Sequence, residues 1–183
     1  MSTRGAYGFY KDGKNKITYN HNSSDPEWLG KEIVKFCRTT DQETMNIIFD
    51  RIIMVDEDST PSKEQIKETA GYFNENVSTG RQEDWYSLLR GSQGSLEDYK
   101  DDLRYMIDNA EFMKDSLFCE WAYIINLTDG LLEVYRGFQK TPQKNRYYKA
   151  WGRGYYNVAL LVVFPLNDIP GDWETKVNRL AEM

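Results

Sequence analysis

Residues 117–138 read LFCEWAYIINLTDGLLEVYRGF, and this alternating stretch indicates the architecture more strongly than any other. In an extended chain, the side chains at 117, 119, 121, 123 and 125 share one face and those between them share the other. Residues 128–130 are Thr-Asp-Gly, a turn sequence, and the chain returns over 131–138. The stretch therefore predicts an antiparallel β-hairpin.

Two other regions predict strands. Residues 5–10 and 16–19 are rich in β-forming side chains and flank KDGKN, whose Asp-Gly pair is a hairpin signal. Residues 155–164 are nearly all apolar, as in a strand that is covered on both faces. We therefore expect a second hairpin near the N-terminus and a fifth strand in the centre of the sheet.

Helical patterns fill the chain between the hairpins. Asp25-Pro26 is a helix-start signal, and apolar side chains recur at helical spacing over residues 26–39. Similar patterns begin at 40, 61, 83 and 95, the last running to 107, and a closing helix begins after Asp172. Hairpins set apart from helices predict an α+β fold. We expect a sheet of about five antiparallel strands, two hairpins plus one central strand, with helices packed on it. Residues 1–183 would form one domain with a helical insertion at about 26–114.

Composition excludes several classes of protein. The 183 residues are 40% hydrophobic and 14% aromatic, too apolar for a disordered chain. The N-terminus has no secretory pattern and no apolar run approaches the roughly 20 residues of a membrane span, so a cytoplasmic protein is expected. Cys37 and Cys119 lie in apolar patterns and are expected to be buried, reduced thiols. Zinc spacing, phosphate-binding loops and dinucleotide fingerprints are missing, so neither a metal nor a cofactor is predicted.

Charge is distributed unevenly along the chain. The net charge is −6, yet residues 134–167 contain six cations and no acid, so the rest of the chain carries −12. Aromatic residues interleave with these cations, a combination that suits single-stranded nucleic acid as well as a protein interface. The predicted binding residues are Arg136, Lys140, Lys144, Arg146, Tyr147, Tyr148, Lys149, Trp151, Arg153 and Tyr155. Because 139–154 reads as a loop, loss of Arg146, Lys149 and Arg153 is expected to change stability little.

Three residues are candidates for catalysis. His21 is the single histidine and follows a predicted strand, where it could act as a general base or satisfy backbone groups of the turn. Glu120 lies in an apolar strand pattern, so it must be paired or titrate abnormally. Arg4 is a candidate partner for Glu120, or could stabilise a phosphorane if the protein cleaves RNA with His21 as base.

Two alternatives to nucleic-acid binding stay open. Ser2 or Thr3 could act as an N-terminal nucleophile once Met1 is removed, which would make the protein a hydrolase. The other is a non-catalytic interaction module, which could be a homodimer, because the chain holds five Trp and 13 Tyr. Exposed rings in residues 138–156 would then mark the interface.

Several motifs resemble a group of uncharacterised bacterial and phage proteins. They are Thr3-Arg4-Gly5, the run from Lys16 to His21, and EWAYIINL at 120–127. Where that group commonly has Asp-Ser-Tyr-Pro after the histidine, this chain has Ser23-Ser24-Asp25-Pro26, which displaces the carboxylate beside His21. The resemblance implies a fold more than an activity. Its phage context implies an anti-defence role, such as inhibition of a CRISPR nuclease or another host protein that handles RNA.

Overall fold

The fold was analysed in a computed structural model that describes residues 2–77 and 84–183. Seven strands are present: β1 (Gly5–Lys11), β2 (Lys14–Asn20), β3 (Ile53–Val55), β4 (Tyr105–Ile107), β5 (Trp121–Asn126), β6 (Leu131–Arg136) and β7 (Ala159–Pro165). The α-helices are α1 (Lys31–Thr39), α2 (Gln42–Arg51), α3 (Lys63–Glu68), α4 (Trp85–Leu89), α5 (Glu97–Lys100) and α6 (Trp173–Ala181). The α+β prediction is confirmed at this level.

The main sheet has five strands in the order β2-β1-β5-β6-β7. Both predicted hairpins form, since β1 pairs antiparallel with β2 and β5 pairs antiparallel with β6. However, β1 and β5 run parallel, so the prediction of an all-antiparallel sheet is wrong. The physical reason is the long connection between the hairpins, because a tight turn forces neighbouring strands to be antiparallel and a long crossover does not.

The apolar strand near the C-terminus lies at the edge of the sheet, which corrects the prediction of a central position. In β7, Leu160 is 45% exposed and Val163 is 38% exposed, while Phe164 is buried. The pairing of β7 with β6 is interrupted by a bulge beside Val134 and Tyr135. The central strand is instead β5, in which every residue is buried.

The predicted helix over 95–107 is also wrong in its second half. Only α5 is helical there, and Tyr105–Ile107 forms β4, which pairs parallel with β3 in a separate two-stranded sheet. Tyr and Ile favour strands, and pairing with β3 outweighs the helical spacing of the apolar residues. The predicted start of the short helix at Glu83 lies outside the described residues, and its described part is α4.

Both faces of the main sheet are covered. Tyr7, Phe9 and Tyr123 belong to a large core that includes residues of α1, α2 and α6. Ala6, Ala122 and Ile124 belong to a smaller core on the opposite face, with Met113, Tyr147 and Val158. Cys37 and Cys119 are buried free thiols, as predicted. Within the described ranges, no helix has the length and apolar character needed to span a bilayer.

The close pairing of β1 with β2 generates the first prediction. Gly8 has φ +148°, and a Cβ added there would collide with the backbone oxygen of Lys16 and lie 2.9 Å from Cα of Ile17. Gly8→Ala should therefore lower the free energy of unfolding by about 2 kcal/mol or more, measured by urea denaturation. Gly171→Ala is the matched control, since a Cβ there meets no atom within 4 Å. A Gly8→Ala protein as stable as the control would contradict this packing.

Candidate nucleic-acid interface

The segment between β6 and β7, residues 137–158, is called the basic loop here. A buried asparagine, Asn157, fixes its backbone. The Asn157 side-chain amide donates to the carbonyl of Gln143 (2.9 Å) and to Oδ1 of Asn145 (3.0 Å), and its Oδ1 accepts from the backbone N–H of Gln143 and Lys149. Asn145 in turn donates to the carbonyl of Val158 at 2.8 Å. The loop is therefore held internally although it contains no helix or strand.

Ser116 holds the two ends of the basic loop together. Its carbonyl accepts from the backbone N–H of Phe138 (2.6 Å) and its hydroxyl accepts from that of Gln139 (2.9 Å). The Ser116 backbone N–H donates to the carbonyl of Tyr156 at 2.9 Å. The loop therefore leaves and re-enters the sheet at one fixed point.

Arg146, one of the predicted binding residues, is tied to a carboxylate inside the protein. Its Nη1 donates to Oε1 of Glu133 at 2.9 Å, and Nη2 contacts Oε2 of the same side chain. The Glu133 side chain is 5% exposed and also accepts from the Asn126 amide and the Tyr135 hydroxyl. Burial by itself would raise the pKa of Glu133, but these hydrogen bonds outweigh it and the pKa lies below the ordinary value.

The surroundings of Arg146 correct two predicted roles. The guanidinium lies 3.8 Å from the centre of the Tyr10 ring, and the adjacent Tyr147 is buried edge-on against Tyr135 at 5.4 Å. In this arrangement Arg146 and Tyr147 secure the loop to the sheet, and the Tyr147 ring is not available to stack on a base. The expectation that loss of Arg146 would leave stability unchanged is therefore replaced by the opposite one.

Arg136 is also occupied by the protein. Its guanidinium lies 4.5 Å from the centre of the Trp121 ring and 5.0 Å from that of Phe138, and it donates to the carbonyl of Glu120 at 2.9 Å. Burial lowers the pKa of Arg136. This residue joins the start of the basic loop to the edge of the sheet, and only part of it reaches solvent.

Four cations of the basic loop are left at its surface. Within residues 2–77 and 84–183, none of them has an ion-pair partner; they are Lys140, Lys144, Lys149 and Arg153. Two aromatic rings stand out among them, Trp151 at 67% exposed and Tyr148 at 50%. The Lys140 ammonium lies 3.5 Å from the centre of the Tyr155 ring, and the Arg153 guanidinium lies 6.0 Å from that of Trp151. Exposed rings between unpaired cations can stack on bases and contact phosphates.

The three predicted catalytic residues lie at the end of the main sheet where β1 and β5 begin and β2 ends. Gly5 pairs with Asn20 of β2 and with Trp121 of β5. If this register is continued by one step, Arg4 is opposite His21 on one side and Glu120 on the other, and the backbone N–H of Glu120 donates to the carbonyl of Arg4 at 3.0 Å. A partnership of Arg4 with Glu120 requires that β1 and β5 be neighbours, and they are.

The contacts at this edge differ from a simple ion pair. Oε1 of Glu120 accepts from the backbone N–H of Arg4 at 3.4 Å, whereas the Arg4 guanidinium lies 5.7 Å from the centre of the Phe118 ring. Nδ1 of His21 shares a hydrogen bond of 2.9 Å with the Tyr19 hydroxyl. Burial and the charges of Arg90 and Arg4 lower the pKa of His21. The catalytic roles of these residues stay predictions.

Sequence reasoning missed Gln93 and Arg90, which lie near this end of the sheet. Oε1 of Gln93 accepts from the backbone N–H of His21 at 3.0 Å, and the backbone N–H of Gln93 donates to the carbonyl of Arg90. No sequence signal links positions so far apart along the chain. For the N-terminal nucleophile hypothesis, Met1 lies outside the described residues, and the Ser2 hydroxyl donates to the carbonyl of His21 at 3.1 Å.

Comparison with known proteins adds no relative, since no family model, curated protein or solved structure matches this chain. Among the described side chains, no group of three or more His, Cys, Asp and Glu residues could hold a metal ion. The interpretation of both regions therefore depends on their geometry alone.

The ion pair beneath the basic loop predicts a large loss of stability on neutralisation. Glu133→Gln removes the charged acceptor of the Asn126 amide and the Tyr135 hydroxyl and the counterion of the partly exposed Arg146, so the free energy of unfolding should fall by about 2–3 kcal/mol. Glu111→Gln is the matched control, since Glu111 pairs with Lys114 at 2.8 Å on the surface, and it should cost less than about 1 kcal/mol. Equal losses in the two variants, measured by urea denaturation, would contradict the role assigned to Glu133.

The same pair predicts a pH dependence. Because the pKa of Glu133 is lower in the folded chain than in the unfolded one, its contribution to stability is complete above the ordinary Glu pKa of about 4.3. That contribution should be lost as the pH falls below this value towards the folded pKa. Urea denaturation between pH 7 and the acid limit should show a smaller loss of stability with falling pH in Glu133→Gln than in the wild type. Parallel curves would show that the carboxylate is not stabilised by folding.

Proposed function

We propose that the protein binds single-stranded nucleic acid, with RNA as the first ligand to test, through the surface of the basic loop. The observation that carries the proposal is the set of four cations without acidic partners around two exposed rings, Trp151 and Tyr148. Stacked bases contribute about 1–3 kcal/mol each, and the cations supply the electrostatic attraction.

The fixed backbone supports this proposal. The hydrogen bonds of Asn157 and Asn145 and the ion pair of Arg146 hold the loop before any ligand arrives. A surface that is already ordered loses less conformational entropy on binding than a mobile loop does. The four cations also stand on a chain whose net charge is −6, which directs a polyanion to this loop rather than to the rest of the surface.

The resemblance to phage proteins suggests the biological source of the RNA. Under this proposal the ligand is a strand held by a host nucleoprotein, and the protein interferes with it in an anti-defence role. This step depends on association and not on any contact in the fold.

A protein interface is the second candidate, and one observation favours it. Trp151, the most exposed ring of the basic loop, is of the residue type that dominates interface hot spots. The two candidates differ in their salt dependence, because only phosphate contacts release condensed counterions in proportion to their number.

Replacement of Lys144, Lys149 and Arg153 together by Ala tests the proposal. For a fluorescein-labelled single-stranded RNA, the slope of log affinity against log salt should flatten by about two units, since each phosphate that is no longer neutralised changes the slope by roughly 0.7. Trp151→Ala should weaken binding by about 1–3 kcal/mol with little change in slope. Fluorescence anisotropy measured at several salt concentrations gives both quantities.

A matched control removes the same charge elsewhere. Lys35, Lys63 and Lys67 are exposed, and their joint replacement by Ala should leave the salt slope unchanged. Equal effects in the two triple variants would mean that only net charge attracts RNA. Absence of binding to RNA at low salt would overturn the proposal and favour the protein interface.

A further inference from the structure

A second positively charged region lies away from the basic loop, at the edge of the sheet where β1 begins and β2 ends. Arg4 and His21 occupy neighbouring positions there, one step beyond the Gly5–Asn20 pair. Tyr19 and His21 are two residues apart on an extended chain, and their side chains meet at 2.9 Å. The edge therefore presents an imidazole beside an exposed arginine.

A third cation comes from a different part of the chain. Residues 90–92 form a short turn after α4, and Gln93 joins that turn to His21 by accepting from its backbone N–H at 3.0 Å. Arg90 lies close enough to act electrostatically on the imidazole, as does Arg4. The Nε atom of Arg90 is buried and has no acceptor among the described residues. A buried donor without a partner is uncommon in a folded protein, and an acceptor supplied by a ligand would satisfy it.

The arginines of this cluster lack acidic partners among the residues that the structure describes. Across the described ranges, neither Arg4 nor Arg90 forms an ion pair. The Glu120 carboxylate accepts from the backbone N–H of Arg4, and no carboxylate is among the groups that shift the pKa of His21. Two arginines therefore act electrostatically on one imidazole, and neither has an ion-pair partner within the described ranges.

The chemistry of the three side chains selects the ligand. Guanidinium groups donate paired hydrogen bonds that match the oxygens of a phosphate. When the Tyr19 hydroxyl donates to Nδ1, the imidazole carries its hydrogen on Nε2 and can donate outwards. We propose that Arg4, His21 and Arg90 form a binding site for a phosphate group, either free phosphate or the terminal phosphate of a nucleotide chain. This inference does not depend on the basic loop or its proposed function.

The single histidine makes the site directly observable. His21 is the one imidazole in the sequence, so its ring carbon-bound protons give unique NMR signals. Titration of the full chain with inorganic phosphate, at ionic strength held constant with chloride, should shift these signals to saturation with a dissociation constant of about 1 mM or tighter. Absence of a saturable shift would overturn the proposal.

Variants test which residues hold the phosphate. Arg4→Gln together with Arg90→Gln should weaken phosphate binding at least about tenfold, since both charged donors are lost. Arg104→Gln with Arg179→Gln is the matched control, because both residues are exposed and lie outside the cluster. If Arg90→Gln prevents folding, Arg4→Gln alone should still weaken binding, because Arg4 is exposed. Unchanged affinity in folded Arg4→Gln, or an equal loss in the control, would overturn the site.

A second comparison identifies the source of the phosphate. A 5′-phosphorylated trinucleotide that shifts the His21 signals more tightly than its 5′-hydroxyl form supports a site for chain ends. Inorganic phosphate that binds at least as tightly as the phosphorylated trinucleotide supports a site for the free ion. An intact phosphate shift in the variants of the basic loop supports a separate site, whereas its disappearance there would overturn the assignment to Arg4, His21 and Arg90.

Discussion

The parallel pairing of β1 with β5 is the constraint on which the rest of the structure depends. It joins two hairpins that are far apart in sequence into one five-stranded sheet. It also sets the alternation by which Tyr7 and Tyr123 face the larger core while Ala6 and Ala122 face the smaller one. Where β1 and β5 begin, the same register, continued by one residue, places Arg4 beside His21 and Glu120. A shift of one residue would exchange the two faces and separate these three side chains.

The cations in and beside the basic loop fall into two groups, those that pack on the protein and those that lie at its surface. Of the six cations in residues 134–167, Arg136 packs on the rings of Trp121 and Phe138 and Arg146 is neutralised by Glu133. The other four lie at the surface, without an ion-pair partner among the described residues. The two arginines anchor the loop, whereas three of the four surface cations are lysines, whose hydrated ammonium groups favour solvent. Anchoring is thus carried by different residues from those that face solvent.

The hairpins could be predicted because their signals are local: alternation of apolar residues and an Asp-Gly turn lie within a few positions of each other. The parallel pair could not, since nothing in β1 or β5 alone specifies which neighbour lies across a long connection. The edge position of β7 was missed because an apolar composition does not distinguish a central strand from an uncovered edge. Glu133 did carry a signal, as an acid within an apolar strand needs a counterion. That argument was applied to Glu120, whose carboxylate is instead bound to a backbone N–H.

The bidentate contact between Glu133 and Arg146 also limits how this sequence can diverge. Replacement of Arg146 alone leaves the buried Glu133 carboxylate uncompensated, replacement of Glu133 alone removes the acceptor of Asn126 and Tyr135, and replacement of both by apolar residues of similar volume can be neutral. Descendants of this chain are therefore expected to keep both residues or to change both, and the change must pass through a less stable intermediate. The surface cations carry no such coupling, so they can be exchanged one at a time. The residues that pack under the loop should accordingly change more slowly in evolution than those on its exposed face.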